Sequence, residues 1–529
     1  MTSRVLAIAI DGPNVNRFHQ WLEAGHLPAI RSIMSNGAQC LHFHTKRFRN
    51  ERCWDLFLRG ADLGTSGSTF VPTSYEYYNN PNNREHRYIP FYALNGRHRT
   101  CVFDLPATLS KEVNGIQVLG WGSELNVSRA ESLPASVIDE IQARHGRDPK
   151  LTQSMKVLDY ETQEVEYSYV IPNLYDYDDL QLFKQRLLTS IERRTAIALD
   201  LISRDDWDLY LLNFPEIHSA NHQLWHLGEP HPIGQPGSQS HALLEVFQAV
   251  DQAIGQIKSV WPKDETVAVF TLDNTADNCM DVPTMAILPE ILYRWNYPGR
   301  ALLSPGPAGA PLPPLRRNYS RLWKHEVWAL VTDSGKAHLD SPAALEASGS
   351  PFSWHPAIWY RKCWPNMKAF ALPSMSDGYV RVNIREREAQ GTVDPSDYAQ
   401  TLASIESVLQ TLTNPRTGDP AIKSITRTRQ SPSDHPDIAP DLIVSWNDVS
   451  PADCLECAEL GRVGPLPYFR TGGHLSHGSS IEGLFAAQGP GIVPGTIAQP
   501  GNLLDVPVTI LDLMGLPPQP EMTGRSLFV

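Results

Sequence analysis

Three histidines recur at intervals of four residues in one short stretch of the chain: His218, His222 and His226. The apolar run just before them, residues 207–213, is typical of a buried β-strand. If a helix begins near Ile217, the three imidazoles lie on one helix face, because residues four apart are neighbours there. Neutral imidazole is a common metal ligand, and two histidines at i and i+4 can share one ion. The stretch predicts a metal site beyond a strand end; the alternative is three polar helix residues with satisfied hydrogen bonds.

Acidic residues follow two other predicted strands. Asp11 ends the apolar strand 5–10, and Asp273 lies near the end of the apolar strand 266–274. The carboxyl ends of parallel strands share one edge of a sheet, so both acids can converge with the histidine stretch there, and His474 can join them. Carboxylates and imidazoles together suit a divalent ion such as Zn²⁺ or Mn²⁺. For Asp11 the alternative role is that of a cap on the following helix.

A basic cluster precedes Trp54 in an otherwise acidic chain. It contains four basic side chains within seven positions: Lys46, Arg47, Arg49 and Arg52. Phe48 and Trp54 are interleaved with them, which favours a partly enclosed anion site, since arginine binds phosphate or sulfate through paired hydrogen bonds. The alternative is a charged segment that faces solvent.

The composition is that of an ordinary globular protein. The chain has 529 residues, of which 41% are hydrophobic and 19% are charged. This length is enough for two or three structural units. The net charge of −13 argues against nucleic acid or an anionic membrane as a partner, but it allows a local basic pocket for a small anionic substrate.

The sequence indicates no targeting or membrane segment. The N-terminal apolar run lacks the length and the cleavage site of a signal peptide, and no run approaches the ~20 residues of a membrane span. We therefore expect a cytoplasmic protein. The 7 cysteines do not indicate a disulfide framework. The pair Cys454 and Cys457 is interpreted as structural, with a metal or redox role as the alternative.

Predicted strands and helices alternate along the chain. The strands include residues 5–10, 99–104, 116–122, 207–213, 266–274, 378–384 and 441–446, and the helices include residues 180–203, 242–259, 397–412 and 506–514. The alternation implies an α/β fold whose mostly parallel central sheet is covered by helices on both faces. A Pro- and Gly-rich excursion interrupts it. We predict a first part of the core at 1–297, an inserted cap or oligomer contact at 298–356, and a second part of the core at 357–529.

The chain resembles the alkaline phosphatase superfamily over nearly its whole length, in particular the type I phosphodiesterase/nucleotide pyrophosphatase branch. The resemblance rests on the order and spacing of several motifs: Ile10-Asp11-Gly12, Gly25-His26-Leu27-Pro28, Glu216 to His222, Gly378 to Asn383, Pro440 to Val444, Gly473-His474 and Asp505 to Leu511. It implies an alkaline-phosphatase-like three-layer sandwich and a phosphoester hydrolase whose two metal ions clamp the phosphoryl group.

The resemblance also implies the ligands of each ion. In that family one ion is bound by a first-strand Asp, an Asp-His pair and the nucleophile, and Asp11 and Asp273 match its two acids. The other ion has three ligands, which match His218, His222 and His474. The remaining histidine of the row, His226, then either supports the metal ligands or has a structural role. We predict one complete metal site at the three histidines.

Two departures from the family pattern weaken the other metal site. The Asp-His-Gly of the family reads Asp273-Asn274-Thr275 here, and an amide is a poor replacement for an imidazole ligand. Counting back from Trp54 puts Asn50 in the place of the nucleophile, and an amide oxygen does not attack phosphorus well. Arginine can neutralise a phosphate or sulfate without an ion, so the basic cluster can replace part of the metal chemistry.

These considerations assign a role to each candidate residue. The predicted catalytic residues are Asn50, Arg49, Arg52 and Asp273, and the predicted substrate-binding residues are Lys46, Arg47 and Asn274. Three functions stay open: a metal-dependent hydrolase of phosphate or sulfate mono- and diesters, a repurposed enzyme that performs transfer, elimination or cyclisation on the same scaffold, and a catalytically silent binding protein.

Overall fold

The structure is a computed structural model that describes residues 3–45, 52–61, 89–122, 130–158, 165–169, 172–234, 241–306, 311–315, 319, 322–348, 350, 353–374, 377–434, 440–475 and 480–528. The predicted roles of Lys46, Arg47, Arg49 and Asn50 lie outside these residues. Arg52 is described only as the first residue of a helix.

The strands of the described residues are β1 Val5–Ile10, β2 Ala38–Thr45, β3 Arg99–Phe103, β4 Asn114–Leu119, β5 Glu131–Leu133, β6 Leu151–Leu158, β7 Val165–Tyr169, β8 Leu209–Phe214, β9 Thr266–Phe270, β10 Thr275–Asp277, β11 Pro305–Gly306, β12 Ala369–Leu372, β13 Gly378–Val382, β14 Ile422–Arg427, β15 Leu442–Trp446, β16 Leu455–Cys457, β17 Gly461–Val463, β18 Gly472–His474, β19 Ser480–Gln488, β20 Thr496–Ile497 and β21 Gly501–Asn502.

The helices are α1 Val15–Glu23, α2 Pro28–Ser35, α3 Arg52–Arg59, α4 Ser136–His145, α5 Tyr177–Ile202, α6 Glu216–Gly228, α7 Ala242–Val260, α8 Leu288–Asn296, α9 Trp323–Ala329, α10 Asp333–His338, α11 Pro342–Ala347, α12 Pro356–Trp359, α13 Tyr398–Leu409 and α14 Asp505–Leu513. Shorter helical turns span Phe91–Gly96, Pro283–Ile287, Tyr360–Asn366 and Pro395–Asp397.

The central sheet has the strand order β20-β2-β19-β9-β1-β8-β3-β4-β5, with β21 beside β2. The five inner strands β9, β1, β8, β3 and β4 are all parallel, whereas β19 runs antiparallel to both of its neighbours. This sheet confirms the predicted α/β class with a mostly parallel central sheet. The first strand matches its predicted bounds, and the buried apolar runs of β8 and β9 form its neighbours.

Both faces of the sheet are covered, as the unbroken apolar character of β1 predicts. Alternate residues of β1 enter different hydrophobic clusters: Leu6, Ile8 and Ile10 join the cluster that contains residues of α1, α2, α5, α6 and α7. Val5, Ala7 and Ala9 join the cluster that contains residues of α3 and α14. A strand that is buried on both sides needs apolar residues at every position.

The segment 369–446 departs from the alternation of strand and helix. Its strands β12, β13, β15 and β14 form a separate sheet in which every pairing is antiparallel. The connection from β12 to β13, residues 373–377, is too short for the crossover that parallel strands require, so these strands must run antiparallel. The strands predicted in this segment are present, but they do not belong to the central sheet.

The predicted insertion 298–356 contains β11 and the helices α9 to α11. Strand β11 pairs antiparallel with β17, and the Trp323 indole donates a hydrogen bond to the Pro467 carbonyl at 2.7 Å. The segment is therefore attached to residues 461–467, just before β18. The division of the chain at 297 and 357 stays a prediction. Among the described residues, no helix combines the length and the apolar character that crossing a bilayer requires.

Candidate metal centre

Helix α6 carries the first two histidines of the site. It begins at Glu216, directly after the buried strand β8 and Pro215, as the apolar run followed by a histidine row predicts. His222 has no exposed surface, whereas His218 is half-buried, so the helix presents a buried histidine row with one ring nearer to solvent. The carboxyl edge of the parallel strands is where open α/β sheets bind ligands, and α6 starts there.

Three imidazoles converge at this edge. One nitrogen from each of His218, His222 and His474 lies within 4.8 Å of the other two. The Nε2 atoms of His218 and His474 are 3.0 Å apart. The His222 ring centroid lies 4.5 Å from that of His218 and 5.1 Å from that of His474. The structure therefore brings together the three histidines that the sequence singles out, although 256 positions separate His218 from His474.

An oxygen atom faces the Nδ1 atom of each ring. His218 Nδ1 is 3.3 Å from Asp11 Oδ2, and His474 Nδ1 is 2.6 Å from Asp273 Oδ2. His222 Nδ1 lies 2.7 Å from the carbonyl oxygen of Gly472. Carboxylate and carbonyl oxygens only accept, so where the rings of His218 and His222 are neutral, Nδ1 carries the hydrogen and Nε2 presents its lone pair. The short contact of His474 Nδ1 with Asp273 lies outside hydrogen-bond geometry. Metal-binding histidines have this arrangement, in which the second nitrogen donates to an oxygen that fixes the ring.

A short two-stranded ribbon holds His474 in place. Strand β10 follows β9 and pairs antiparallel with β18, so that Thr275 lies opposite His474. The amide of Thr471 donates to the His222 carbonyl at 2.8 Å, which ties the ribbon to α6. The approach is close: a Cβ atom at Gly472 would lie 2.2 Å from the Asn221 carbonyl oxygen. Glycine is therefore needed here.

The turn after β1 passes directly over His218. Gly12 has φ +54°, a backbone conformation that favours glycine, and a Cβ atom there would lie only 2.9 Å from His218 Cδ2. Both the backbone conformation and the lack of space disfavour a side chain here. The Gly12 carbonyl accepts hydrogen bonds from the Asn221 amide at 2.9 Å and from the Thr275 hydroxyl at 3.1 Å. These contacts join β1, α6 and β10 at one point beside the three rings.

The cap of α1 is Asn14, whose side chain accepts from the Arg17 amide at 2.9 Å, so Asp11 does not have the alternative capping role. Asp11 instead contacts His218, and it accepts from the Trp54 indole at 3.2 Å. Helix α3 thus reaches the site through Trp54, the residue from which the nucleophile position was counted.

Asn274 lies at the edge of the site, where it makes hydrogen bonds to neighbouring residues of the chain. Its side-chain oxygen accepts a hydrogen bond from the Val15 amide at 3.1 Å, at the start of α1. Its own amide donates to Asp273 Oδ1 at 2.7 Å. The substrate-binding role predicted for Asn274 and the direct metal-ligand roles predicted for Asp11 and Asp273 stay predictions.

Arg470 and Asp281 belong to the site, although the sequence assigned neither of them a role. Arg470 Nη1 lies 2.9 Å from His222 Nε2. The same guanidinium donates to both carboxylate oxygens of Asp281, at 2.7 and 3.0 Å. A pair separated by 189 positions leaves no spacing signal, so sequence patterns had no means of finding it. The sequence shows only that a basic residue, Arg470, lies four positions before His474.

His226, the third histidine of the row, is turned away from the cluster. It is buried, and its Nδ1 atom lies 3.0 Å from the Thr471 hydroxyl. Burial lowers its pKa to about 4, so the ring is neutral at physiological pH. It packs 6.2 Å from the His231 ring. The role of His226, structural or in support of the metal ligands, stays a prediction.

Neither the protein-family models nor the curated protein sequences give a match to this chain. Among solved structures, murine ectonucleotide pyrophosphatase/phosphodiesterase 5, in an inactive form in complex with AMP, has 12% sequence identity and a TM-score of 0.42, covering 99% of this chain and 97% of that chain. The human protein of the same name has 11% identity and a TM-score of 0.40, covering 98% and 97%. These values describe a distant likeness over nearly the full length of both chains.

Proposed function

We propose that this protein is a metal-dependent hydrolase of phosphate or sulfate esters of a small anionic substrate. The observation that carries the proposal is the convergence of His218, His222 and His474, whose ligand nitrogens lie within 4.8 Å of one another. The cluster lies where α6 begins and where β1 and β9 end, at the edge of the sheet that open α/β folds use for chemistry.

The donor set fits a divalent metal ion. The Nε2 atoms of His218 and His474 face each other across 3.0 Å, and if the hydrogen of each ring is on Nδ1, toward Asp11 and Asp273, both Nε2 atoms present lone pairs. Two lone pairs at that distance repel unless a cation or a shared proton lies between them. Imidazole suits Zn²⁺, and Mn²⁺ is the alternative with oxygen ligands nearby. When bound, such an ion polarises a phosphoryl oxygen and makes water a stronger nucleophile at neutral pH.

The remaining side chains have roles that follow from their contacts. Asp11 orients His218 through its Nδ1 atom, and the Asp273 carboxylate lies against Nδ1 of His474. Trp54 donates to Asp11, which keeps the start of α3 beside the same carboxylate. The catalytic roles predicted for Asn50, Arg49 and Arg52, and substrate binding by Lys46 and Arg47, remain part of this proposal.

Metal content and ester hydrolysis test the proposal together. The purified chain is expected to retain about one equivalent of Zn²⁺ or Mn²⁺ by elemental mass spectrometry and to hydrolyse at least one of p-nitrophenyl phosphate, bis(p-nitrophenyl) phosphate and p-nitrophenyl sulfate. Dialysis against a chelator is expected to remove both the ion and the hydrolysis, and adding the ion back is expected to restore them.

A ligand variant and a matched control make the test specific. His474→Ala removes one converging nitrogen and is expected to lower both bound metal and turnover by about 100-fold or more. His338→Ala removes an exposed histidine of α10 and is expected to leave both unchanged. Hydrolysis that survives complete metal removal, or a wild-type chain that binds neither ion, would contradict the proposal.

A second candidate function rests on the incomplete part of the site. Asn274 stands where the family has a histidine ligand, and its side-chain oxygen is bonded to the Val15 amide. A scaffold that has lost this ligand can perform transfer, elimination or cyclisation on an anionic substrate instead of hydrolysis. Product analysis distinguishes the two: incorporation of ¹⁸O from labelled water into the released phosphate or sulfate is expected only for hydrolysis.

A further inference from the structure

Arg470 is fixed beside the metal centre by contacts on three sides. Two of its nitrogens bind the two carboxylate oxygens of Asp281, and its guanidinium lies 5.4 Å from the centre of the Phe469 ring. Asp281 is itself held by Asn278, whose side-chain nitrogen donates to Oδ2 at 2.6 Å. The side chains of Arg470 and Asp281 are only 6% and 2% exposed. The guanidinium is therefore a fixed charge and not a mobile surface group.

The third nitrogen of this guanidinium is aimed at a predicted metal ligand. Arg470 Nη1 lies 2.9 Å from His222 Nε2, while His222 Nδ1 is directed at the Gly472 carbonyl. Arginine has only donors, so the hydrogen bond occupies the Nε2 lone pair of His222. That lone pair is the one His222 would give to a metal ion. The guanidinium and the ion consequently require the same electron pair.

The guanidinium also places a positive charge next to the position of the ion. A cation shared by His218 and His474 would lie within a few ångströms of Arg470, in a site with little exposure to solvent. Like charges repel strongly in such surroundings. Binding through His222 therefore requires both the loss of a charge-assisted hydrogen bond and the approach of two cations.

We infer that Arg470 competes with the metal ion for His222, so that the native centre binds its ion through His218 and His474 while the guanidinium withholds the third imidazole. This inference rests on the proposed metal function and specifies which ligands the ion receives. Arg470 acts here as a positioning residue, since it sets the ligand number and the affinity of the centre. Fewer imidazole ligands leave more coordination positions to oxygen donors, which favours Mn²⁺ relative to Zn²⁺.

A double variant removes the competition without leaving an unpaired buried charge. Arg470→Gln with Asp281→Asn replaces the ion pair by two neutral amides that can bond to each other. We expect this variant to bind Zn²⁺ about tenfold to 100-fold more tightly than the wild type, the range that a charged hydrogen bond contributes. Competition with a chromophoric chelator measures the dissociation constant, and no catalytic assay is needed.

A third substitution reports whether His222 is the ligand that was gained. His222→Asn keeps a side-chain donor for the Gly472 carbonyl but removes Nε2. It is expected to change the affinity of the wild type by less than about threefold and to reverse the gain of the double variant. The absorption spectrum of bound Co²⁺ should differ between wild type and double variant, because the added imidazole changes the ligand field. Adding His222→Asn to the double variant should restore the wild-type spectrum.

The matched control changes a comparable pair elsewhere. Arg416 binds both oxygens of Asp453 at 2.7 Å, and Arg416→Gln with Asp453→Asn is expected to leave metal affinity unchanged. Equal Zn²⁺ affinity and identical Co²⁺ spectra in wild type and the Arg470 double variant would overturn this inference while leaving the proposed function intact. Absence of metal binding in every variant would overturn both.

Discussion

At the scale of single residues, the candidate centre depends on which oxygen faces which nitrogen. Asp273 lies 2.6 Å from His474 Nδ1, and Asp11 lies 3.3 Å from His218 Nδ1. A carboxylate in that position fixes the ring and raises the basicity of the opposite nitrogen. The same two acids match the metal ligands of the family that the sequence resembles. Direct ligation and orientation of a histidine are therefore distinct roles with distinct energetic consequences.

Asp273→Asn separates these two roles. If the carboxylate orients His474, we expect the substitution to weaken Zn²⁺ binding by about 10- to 100-fold, as for other groups that orient a ligand. If the carboxylate binds the ion directly, the loss of affinity should exceed about 100-fold, and a loss greater than about 100-fold would contradict the orienting role. Zn²⁺ affinity is measured by competition with a chelator. Asp277→Asn is the matched control, because Asp277 accepts from the Trp225 indole at 2.5 Å and an amide oxygen can also accept there.

At the scale of elements, α6 is anchored at its first residue by a buried ion network. Glu216 accepts from Arg194 of α5 at 2.8 Å and from the Ser190 hydroxyl at 2.7 Å. Arg194 also pairs with Asp104 at 2.8 Å, beyond the end of β3. The side chains of Arg194, Asp104 and Glu216 are fully buried. The network therefore fixes the start of α6, and with it His218 and His222, relative to β3 and α5.

Removing the central cation should be costly. Arg194→Met leaves Glu216 and Asp104 as uncompensated buried carboxylates, and we expect the free energy of unfolding to fall by about 3–5 kcal/mol. Urea denaturation followed by circular dichroism measures the change. Arg385→Met, which removes an ion pair with Asp394 whose two side chains are 56% and 51% exposed, should cost less than about 1 kcal/mol. Equal losses in the two variants would show that the buried network has no special role in stability.

At the scale of the whole molecule, buried histidines couple stability to pH. Burial lowers the pKa of His42, His226 and His355 to about 4 and that of His231 to about 3. In the unfolded chain these groups return to about 6.5, so below that pH the unfolded state binds more protons than the folded state. The contribution of these rings to stability is therefore complete above pH 6.5 and is lost as the pH drops toward 4.

The expected size of this effect is large enough to measure. Each such histidine should remove about 1.4 kcal/mol of stability per pH unit below its unfolded pKa. The measurement is urea denaturation of the wild type at pH 7.5 and at pH 5.5. His42→Gln removes one titrating ring, so the fall in the free energy of unfolding between the two pH values should be smaller by the contribution of one histidine. Stability that is constant over this interval would contradict the neutral, buried state of these rings.

The sequence predicted those features that local patterns determine. A run of apolar residues identified β1 as a strand buried on both faces, and the spacing of His218 and His222 placed both on one helix face. These predictions succeed because the periodicity of side chains is a property of the chain itself. The convergence of Asp11 and Asp273 with them followed from the rule that parallel strands share a carboxyl edge, whereas His474 is positioned by the antiparallel ribbon of β10 and β18.

Only the tertiary structure decided which groups those residues contact. The antiparallel sheet at 369–446 depends on strand pairing, and the contact of Arg470 with His222 depends on partners 248 positions apart. Hydrogen bonds between distant residues leave no period or spacing in the sequence, because their partners become neighbours only in the folded chain. The amino-acid sequence thus determined which side chains could hold an ion, and the fold decided that a guanidinium would occupy the third of them.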